Sequence, residues 1–576
     1  MSYSGRLISL DHLRQKRLVY LFLIFFSCFL GLVSQLFLIQ YRDGELYACL
    51  ALEQGSRWVS LENTPRGRIL DRNLVPLTGE RTEERVVLFP AAVGNREEVS
   101  SELAGILGVE QDNLSPYFDG EPCLLPYVVT PEQSAAVQNR GWTGVMALPV
   151  QFRYGEQQLA AQVIGHMGKI STPEEFTDLS GRNNKVYHYD DLVGKTGLEM
   201  YYEDVLKGSL PQRAVRVYTD AAGRLLGGPG FFVEEQTEDY ARCDLVLTID
   251  ARIQKIVEEI MDHSVARGAV VVMDAGSGDI LAMASRPGYH PARPEDYLDA
   301  AGGENCFLDH CTALYQPGSV FKVVIAAAAL EEGVADFAGQ FHCRGAGETL
   351  LRCWKPQGHG AITFVQAFAE SCNPVFAKLG LQLGAQKVID YAGLFGLDNQ
   401  SVLGYPAPRD PRQDLKLIAG PYNLVNSSIG QGPVLVTPVQ VAAMINTVVS
   451  GGFYRQPRLV QRICNSNGDT VQMLPYDPGQ RVISSETAEK LCKLLEMAAE
   501  EGTGQEALVP VFGSAGKTGT AQVGDKSLSV NAWFAGYAPR ANPRYVAAVL
   551  SEGEAGGSAA AAPVFREIME AILELD

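Results

Sequence analysis

An apolar segment near the start of the chain constrains the fold more than any other feature. Residues Leu18 to Ile39 contain no charged side chain and only a few polar ones. About 20 residues are needed to cross the hydrocarbon core of a membrane as a helix. The segment therefore predicts a transmembrane helix at 18–39, preceded by a cytoplasmic tail at 1–17.

The charges beside this segment predict its orientation. Four basic residues precede it against one acidic residue: Arg6, Arg14, Lys16 and Arg17 against Asp11. Because positively charged flanks stay in the cytoplasm, the chain after Tyr41 is predicted to lie outside it. The alternative is a cleaved signal peptide, but the apolar run is too long for one and no small-x-small cleavage site follows it. No other comparable apolar run is present, so one span is expected.

Length and charge narrow the class of protein. A chain of 576 residues predicts two to four structural units at roughly 150 residues each. Hydrophobic residues make up 46% and charged residues 20%, which is ordinary for a globular protein. The net charge of −19 argues against a general nucleic-acid binder, because that function requires a basic face.

Cysteine and histidine patterns indicate neither a metal nor a cofactor. The eleven cysteines are scattered, and an odd number cannot all pair. Cys343 and Cys353 flank a glycine-containing stretch that can form a hairpin, so a disulfide there is one possibility and free thiols are the other. Neither the cysteines nor the eight histidines show the usual ligand spacing for zinc. We therefore predict no metal site.

Beyond the apolar segment, the chain divides into two regions that differ in their predicted secondary structure. Residues 40–240 are mixed, with a short strand and turn predicted at Pro65–Asn73 and a helix between Gly194 and Gly208. Residues 241–576 begin with a strand, a helix and a hairpin, and end with two further strand-like stretches. These stretches are Asp244–Asp250, Arg252–His263, Gly268–Asp274, Asp279–Ser285, Trp533–Tyr537 and Tyr545–Leu550. We interpret 241–576 as an α+β domain with an antiparallel sheet.

The first chemistry-bearing motif is Gln316-Pro-Gly-Ser319-Val-Phe-Lys322. Ser319 and Lys322 are three residues apart, so on a helix they share a face. A serine is a poor nucleophile until a base takes its proton, and a lysine can be that base if burial lowers its pKa. The strongly apolar residues after Lys322 are consistent with such burial, and the helix N-terminus favours developing negative charge.

Two further motifs follow in order. Ser371-Cys372-Asn373 offers a hydroxyl that can relay a proton and an amide that can hold a carbonyl. Lys517-Thr518-Gly519-Thr520 reads as a strand on which Lys517 and Gly519 point one way and the two threonines the other. A cation with hydroxyls suits a carboxylate, and Gly519 would let a substrate backbone approach closely.

Each motif alone is a weak signal, and the set is stronger than its parts. The intervals, 371 − 319 = 52 and 517 − 371 = 146 residues, are plausible for one domain. A second Lys-Thr-Gly, at Lys195–Gly197, precedes Ser319, lacks the second threonine and has a helical context. We interpret it as a decoy.

Together the motifs resemble those of class B (monofunctional) penicillin-binding proteins. The resemblance extends over nearly the whole chain. It includes pedestal features at Arg66-Gly67, Asp71–Asn73, Gly197–Glu199 and Tyr202, and transpeptidase landmarks at Leu247–Asp250, Gly358–Gly360, Gly430–Gly432, Thr437-Pro438 and Gly502–Gly504. It implies an elongated α+β pedestal at 40–240 and, at 241–576, a serine β-lactamase/transpeptidase-like domain whose antiparallel sheet is flanked by helices. Cys372 is a departure, because relatives often carry another small or polar residue there.

The resemblance also implies residue roles. Ser319 would attack the penultimate D-Ala carbonyl of a D-Ala-D-Ala stem peptide, with Lys322 as general base. The backbone N–H groups of Ser319 and Thr520 would form the oxyanion hole. Ser371 and Lys517 would help proton transfer, Asn373 would complete the catalytic set, and Thr518 and Thr520 would hold the terminal carboxylate beside Gly519. An amine of a neighbouring stem would then accept the acyl group, and β-lactams would acylate Ser319.

Several other functions fit the sequence less well. A β-lactamase shares the motifs but seldom carries an anchor and some 200 further external residues. A β-lactam sensor needs a cytoplasmic output domain, for which seventeen residues leave no room, and a silent scaffold is disfavoured by the intact motifs. A phosphate loop fails because Val511 and Tyr189 stand where glycine is required. No acidic motif of a glycan polymerase occurs in 41–240, so a membrane glycan polymerase is expected as a partner. Elongation, division and sporulation roles stay open.

Overall fold

The structure is a computed structural model of the chain, and its second half contains the residues of the predicted motifs. It describes residues 4–42, 56–182, 185–209, 213–218, 231–235, 239, 242–298, 306–408, 410–524, 529–553 and 555–575. The predicted domain boundary at 240 and 241 lies outside these residues. The chain divides into one compact unit of residues 1–61, 83–150 and 213–235 and another of residues 62–82, 151–212 and 236–576.

The N-terminal helix has the character that the apolar segment predicts. It extends over Ser4–Arg42, and its side chains from Leu18 to Phe37 are exposed rather than packed. Within the described residues, Arg17–Phe37 is the one helical segment long and apolar enough to cross a membrane. This finding is consistent with a single membrane anchor.

The first unit contains two small sheets and a helical layer. One sheet has the order Cys123–Val128, Arg81–Leu88, Val145–Phe152, and the other has the order Ser56–Ser60, Arg213–Tyr218, Phe232–Glu235. The helices are Arg96–Leu107, Gln111–Phe118 and Pro131–Arg140, with a 3-10 helix at Pro90–Ala92. Apolar residues of these helices, such as Leu103 and Val137, pack with Val86 and Leu88 of the first sheet into a separate core.

The pedestal residues of the second unit surround a buried ion cluster. Glu199 is fully buried and accepts hydrogen bonds from Arg66, Arg153 and the Tyr154 hydroxyl. The other elements of this part of the chain are Ala161–Ile164, Met167–Lys169, Pro173–Arg182 and Leu192–Gly194. A buried carboxylate is costly unless it is paired, and these three partners satisfy that of Glu199.

The prediction of one continuous helix between Gly194 and Gly208 is wrong, and contacts of the buried glutamates account for the difference. The segment forms two short helices, Gly197–Tyr201 and Glu203–Leu206, which meet at Tyr202. Gly194 instead ends a strand paired with Met167–Lys169, and its N–H donates to the Glu203 carboxylate. Tertiary contacts of two buried glutamates override the helical pattern.

A four-stranded sheet follows in the second unit. Its order is Thr470–Met473, Val460–Asn465, Cys243–Leu247, Ile69–Leu70. Leu245 and Val246 pair in parallel with Ile69 and Leu70, which form the short strand predicted within Pro65–Asn73. The Asp244–Asp250 prediction is confirmed in part, because the strand begins at Cys243 and ends at Leu247.

The central sheet has five antiparallel strands. Their order is Ile280–Arg286, Gly268–Asp274, Tyr545–Gly553, Val530–Ala538, Ala515–Gln522. The strands predicted at 268–274, 279–285, 533–537 and 545–550 all belong to it. An antiparallel sheet flanked by helices is thereby confirmed for this part of the chain, and Ala515–Gln522 forms one edge.

Helices cover both faces of this sheet, which accounts for its nearly uninterrupted apolar strands. Ala251–Ser264 and the C-terminal helix Gly557–Leu573 pack on one face, where Phe534 meets Phe565 at 4.6 Å between ring centroids. Pro438–Val449 and Ser485–Glu500 pack on the other face, within the larger core.

The remaining elements connect these layers. The helices are Lys322–Glu331, Phe364–Ala369, Asn373–Leu394 and Pro421–Ser427, and the strands are Gln340–Cys343, Gly360–Thr363, Phe453–Tyr454 and Gln480–Arg481. The 3-10 helices are Pro294–Tyr297, Gly318–Phe321, Gly345–Gly347, Leu415–Ala419 and Gln505–Ala507.

Candidate active site

Ser319 lies on a tight turn at the entrance of a buried helix. A 3-10 helix, Gly318–Phe321, leads directly into the helix Lys322–Glu331, whose first eight residues are buried. Residues three apart eclipse one another in a 3-10 turn, so Ser319 and Lys322 share a side as the motif predicts. Ser319 is half-buried and lines a cleft of about 440 Å³.

Two glycines hold the Ser319 turn against its neighbours. A Cβ on Gly318 would lie 2.7 Å from the Thr520 carbonyl oxygen, and one on Gly430 would lie 1.8 Å from the Gly318 carbonyl oxygen. The Gly318 N–H donates to the Gly430 carbonyl at 2.9 Å. The turn therefore packs between the edge strand and the Gly430 loop. The backbones approach so closely that only glycine fits at positions 318 and 430.

Lys322 is fully buried and bound by three oxygen atoms. Its Nζ donates to the Ser371 carbonyl at 2.9 Å, to Ser371 Oγ at 3.0 Å and to Asn373 Oδ1 at 2.6 Å. The Phe376 ring lies 5.4 Å from the nitrogen. Burial, reinforced by the nearby Lys517 cation, holds the pKa of Lys322 well below its usual range. A lysine with a depressed pKa can accept a proton near neutrality.

Ser371 and Asn373 are positioned by a sharp reversal between two helices. Ser371 follows the helix Phe364–Ala369 and has a left-handed backbone, with φ of 51°. Asn373 is the first residue of the next helix, Asn373–Leu394. Both side chains line the same cleft as Ser319. The structure thus brings the first two motifs together.

The third motif occupies the edge strand Ala515–Gln522. Thr518, Gly519 and Thr520 line the cleft, whereas Lys517 is fully buried and is not one of the lining residues. Lys517 Nζ donates to the Thr518 carbonyl at 3.2 Å and lies 5.9 Å from the Phe368 ring. Burial lowers the pKa of Lys517 to about 7. Its charge depresses the pKa of the neighbouring Lys322.

The cleft also contains residues that the sequence motifs did not assign to the site. The Thr503 hydroxyl lies 2.6 Å from that of Thr518, and the Gly557 N–H donates to Thr520 Oγ1 at 3.1 Å. The other unassigned lining residues are Trp354, Gly556, Ser558 and Ala559. Only Thr503 had a local signal, as the centre of Gly502-Thr-Gly504. The C-terminal helix reaches the cleft through tertiary packing alone.

The decoy motif lies elsewhere. Lys195 forms an ion pair with Glu175, and Gly197 begins a short helix. Neither residue lines the cleft that contains Ser319. The arrangement at the cleft joins a half-buried hydroxyl nucleophile, a buried amine with depressed pKa, an amide and a row of hydroxyls. These groups suit acyl transfer through a serine ester.

Two protein-family models match the chain. Residues 268–570 match the model "Penicillin binding protein transpeptidase domain", and residues 61–228 match "Penicillin-binding Protein dimerisation domain". The first match includes all eight predicted site residues.

Full-length relatives agree with these matches. The chain is 31% identical to "Stage V sporulation protein D" of Bacillus subtilis, over 96% of this chain and 85% of the relative. It is 27% identical to "Peptidoglycan D,D-transpeptidase MrdA" of Acinetobacter baumannii, over 96% and 88%.

Solved structures share the fold over most of the chain. One, described as "Structural coordination of polymerization and crosslinking by a peptidoglycan synthase complex", is 25% identical with a TM-score of 0.73, and the match covers 97% of this chain and 99% of that one. A D,D-transpeptidase domain structure from Eggerthella lenta is 23% identical with a TM-score of 0.60, covering 89% and 99%. The latter supports the fold alone.

Proposed function

The chain belongs to the class B penicillin-binding proteins, and from that premise we propose that Ser319 is the acylated nucleophile of its transpeptidase reaction. The chain is a peptidoglycan D,D-transpeptidase of cell-wall synthesis. The observation that carries the assignment is the meeting of Ser319, Ser371 and Asn373 in one cleft, with buried Lys322 bound to the latter two.

The acylation step follows from these positions. Ser319 Oγ attacks the carbonyl carbon of the penultimate D-Ala while Lys322, as the neutral amine, takes the hydroxyl proton. The tetrahedral intermediate collapses by breaking the peptide C–N bond. The proton returns to the departing D-Ala nitrogen through the Ser371 hydroxyl, which is hydrogen-bonded to Lys322 Nζ. The product is a Ser319 ester and free D-Ala.

Deacylation reverses these roles with a different amine. The amino group of a neighbouring stem peptide attacks the ester carbonyl and loses its proton towards Lys322, while Ser319 Oγ leaves and is reprotonated. The new amide is the cross-link. β-Lactams acylate Ser319 in the same first step, because their strained amide takes the place of the D-Ala-D-Ala bond.

We assign the oxyanion hole to the backbone N–H groups of Ser319 and Thr520. The close approach of Gly318 to the Thr520 backbone supports this assignment, because it keeps the two peptide units together. Preorganised donors of this kind contribute most where charge develops in the transition state. Thr518 and Thr520 would hold the terminal carboxylate, and the Gly557 N-terminal turn adds a favourable dipole.

Fluorescent penicillin labelling tests the nucleophile assignment. Full-length protein in detergent should form one covalent adduct, and Ser319→Ala should abolish it without lowering the melting temperature. Ser171→Ala, an exposed serine outside the cleft, is the matched control and should label normally. Labelling that survives Ser319→Ala would refute the assignment.

We further propose that the protein is a single-pass protein of the bacterial cell membrane with residues 42–576 outside the cytoplasm. The basic residues before the apolar helix support this orientation. Treating spheroplasts with protease should remove the penicillin-labelled part, whereas intact labelled protein after treatment would place it inside. Within this arrangement we retain the boundaries 40–240 for the pedestal and 241–576 for the transpeptidase domain.

A membrane glycan polymerase is proposed as the partner. The structural relative whose description names a peptidoglycan synthase complex with polymerisation supports this proposal. Co-purification of such a polymerase after in-cell cross-linking should depend on residues 1–42, and an unchanged yield after swapping that segment for an unrelated anchor would show that the pedestal carries the contact.

A further inference from the structure

A buried histidine and a partly buried tyrosine meet a carboxylate behind the segment that leads to Ser319. The His310 side chain is fully buried, and its Nδ1 contacts the Tyr315 hydroxyl and lies 3.2 Å from Glu552 Oε1. The Tyr315 hydroxyl also hydrogen-bonds the Glu552 carboxylate. Neither the sequence motifs nor the acylation step described above uses any of these three side chains.

Glu552 carries the negative charge of this network. Its Oε2 lies 3.1 Å from the partly exposed Arg267 guanidinium. Burial alone would raise the pKa of the Glu552 carboxyl, but the hydrogen bond from His310 and the Arg267 charge outweigh burial and hold that pKa below its usual range. Burial, together with the Glu552 charge, raises the pKa of the Tyr315 hydroxyl far above its usual range, so this hydroxyl remains a donor. Hydrogen bonds to a charged acceptor are strong and directional, so they fix both donors.

The second ring nitrogen of His310 indicates where its proton lies. His310 Nε2 is buried and makes no hydrogen bond with the described residues. The oxygen atoms of Tyr315 and Glu552 both lie beside Nδ1. A neutral imidazole carries one proton, and a buried N–H without an acceptor is costly, so we assign the proton to Nδ1. His310 then donates between its two neighbours while Tyr315 donates to Glu552.

Tyr315 connects this network to the nucleophile turn. Its backbone N–H and carbonyl both bond Val436, and its ring lies edge-to-face on that of Trp533, with 6.3 Å between centroids. Trp533 is fully buried, and its Nε1 donates to the Gln316 carbonyl at 3.0 Å. Gln316 lies three residues before Ser319. The phenol, the indole and this carbonyl therefore form a continuous support behind the turn.

The same indole lies against the edge strand of the cleft. Trp533 pairs with Gly519 on the neighbouring strand. A Cβ on Gly519 would lie 2.8 Å from the Pro317 carbonyl oxygen and 3.1 Å from the Trp533 Cβ. Because packing here is so close, a tilt of the indole would shift the Ser319 turn relative to the edge strand.

We propose that His310, Tyr315 and Glu552 are positioning residues for acylation, an inference that rests on the proposed role of Ser319. Their hydrogen bonds fix the Tyr315 ring, and the ring fixes the Trp533 indole. The indole in turn holds the carbonyl of residue 316. None of the three is among the described residues that line the cleft, so they act on the chemical step through the placement of Ser319.

Acylation kinetics of the full-length protein in detergent test the proposal. Tyr315→Phe keeps the ring and removes the hydroxyl. It should lower the first-order acylation rate constant at saturating penicillin by roughly 5- to 30-fold and leave the half-saturating concentration unchanged. Tyr391→Phe is the matched control, because the Tyr391 hydroxyl also donates to a glutamate, Glu332, at 3.0 Å. Tyr391 does not belong to the cleft lining given above, and its variant should acylate as wild type.

Two histidine variants separate hydrogen bonding from packing. Asparagine places an N–H near the position of Nδ1, so His310→Asn should retain most of the acylation rate. His310→Leu fills similar space without a donor and should slow acylation as much as Tyr315→Phe does. The double variant Tyr315→Phe/Glu552→Gln should be no slower than the slower single variant, because the residues act as one unit. Equal rates for the two histidine variants, or additive losses in the double variant, would overturn the network.

The outcomes distinguish this proposal from the nucleophile assignment. If Ser319→Ala abolishes labelling while Tyr315→Phe keeps the wild-type first-order rate, the positioning role is overturned and the nucleophile assignment stands. A Tyr315→Phe defect confined to the half-saturating concentration would likewise overturn positioning. Labelling that survives Ser319→Ala overturns both, because the network would then have no nucleophile to position.

Discussion

Lys322 Nζ lies 2.6 Å from Asn373 Oδ1, although 51 positions separate the two residues in the chain. The contact joins the first residues of two helices, Lys322–Glu331 and Asn373–Leu394. With the two oxygen atoms of Ser371, Asn373 engages all three donors of a protonated lysine. A neutral Lys322 keeps two of these hydrogen bonds and gains a free lone pair. The three acceptor oxygen atoms can therefore orient the amine as a base.

Removing the amine should therefore affect both catalysis and stability. Lys322→Met preserves side-chain length, but we expect acylation by penicillin to slow by roughly 10²- to 10⁴-fold, because the general base is lost. Leaving Ser371 O and Asn373 Oδ1 without their donor should also cost about 1–3 kcal/mol of unfolding free energy. Stopped-flow acylation and thermal unfolding measure the two effects.

Lys387→Met is the matched control for this change. Lys387 forms a solvent-exposed ion pair with Glu332, and exposed pairs of this kind contribute little to stability. It should leave the acylation rate unchanged. Full acylation by the Lys322→Met protein would show that another group takes the Ser319 proton.

The efficiency of acylation should decrease when the pH rises above neutrality. Burial lowers the pKa of Lys517 to about 7, so this residue is cationic below that pH and neutral above it. A carboxylate-bearing β-lactam is attracted by the cation, so kcat/KM of the free enzyme should decrease as pH rises through about 7.

An arginine substitution provides the diagnostic comparison. Arginine stays charged across this range, so Lys517→Arg should remove the alkaline limb even if its overall rate is lower. The decoy variant Lys195→Arg should keep the wild-type profile, because Lys195 pairs with Glu175 away from the cleft. An alkaline limb that persists in Lys517→Arg would assign it to a different group.

The Thr503 hydroxyl should support substrate binding through Thr518. The two oxygen atoms are 2.6 Å apart, and Thr518 is nearly buried. Thr503→Ala leaves the Thr518 hydroxyl without this partner, at a cost of about 1–2 kcal/mol, so kcat/KM should fall roughly 5- to 30-fold. Thr503→Ser retains the hydroxyl and should act as wild type. Equal losses in both variants would indicate a packing role instead.

The sequence predicted those structural features that depend on neighbouring residues in the chain. The strand Gly268–Asp274 is recognisable because its burial on both faces requires an unbroken apolar run. The pairing of Ser319 with Lys322 depends only on their spacing in one turn. The helix predicted after Gly194 failed because the buried partners of Glu199 are more than forty residues distant.

The contacts that complete the site depend on long-range packing in the same way. Gly557 reaches Thr520 from a helix 37 positions further along the chain, and no residue near either position signals the contact. The buried side chains of Cys343, Cys353, His359 and Cys372 likewise meet only after the loop between Cys343 and Gly358 has folded. The motifs therefore predicted the candidate catalytic residues, but not the residues from distant parts of the chain that contact them.

Close backbone approach at Gly430 should be necessary for a competent Ser319 turn. Gly430 and Gly451 both have left-handed backbones, with φ of 76° and 71°, so alanine strains each by a similar amount, about 1–2 kcal/mol. A Cβ at 451 meets nothing within 4 Å, whereas one at 430 would lie 1.8 Å from the Gly318 carbonyl oxygen. Gly430→Ala should therefore lower the free energy of unfolding by about 1–3 kcal/mol more than Gly451→Ala does. Because it shifts Ser319, Gly430→Ala should also slow acylation roughly 10²-fold. If the two variants acylate at the same rate, the close approach of Gly318 and Gly430 does not position the nucleophile.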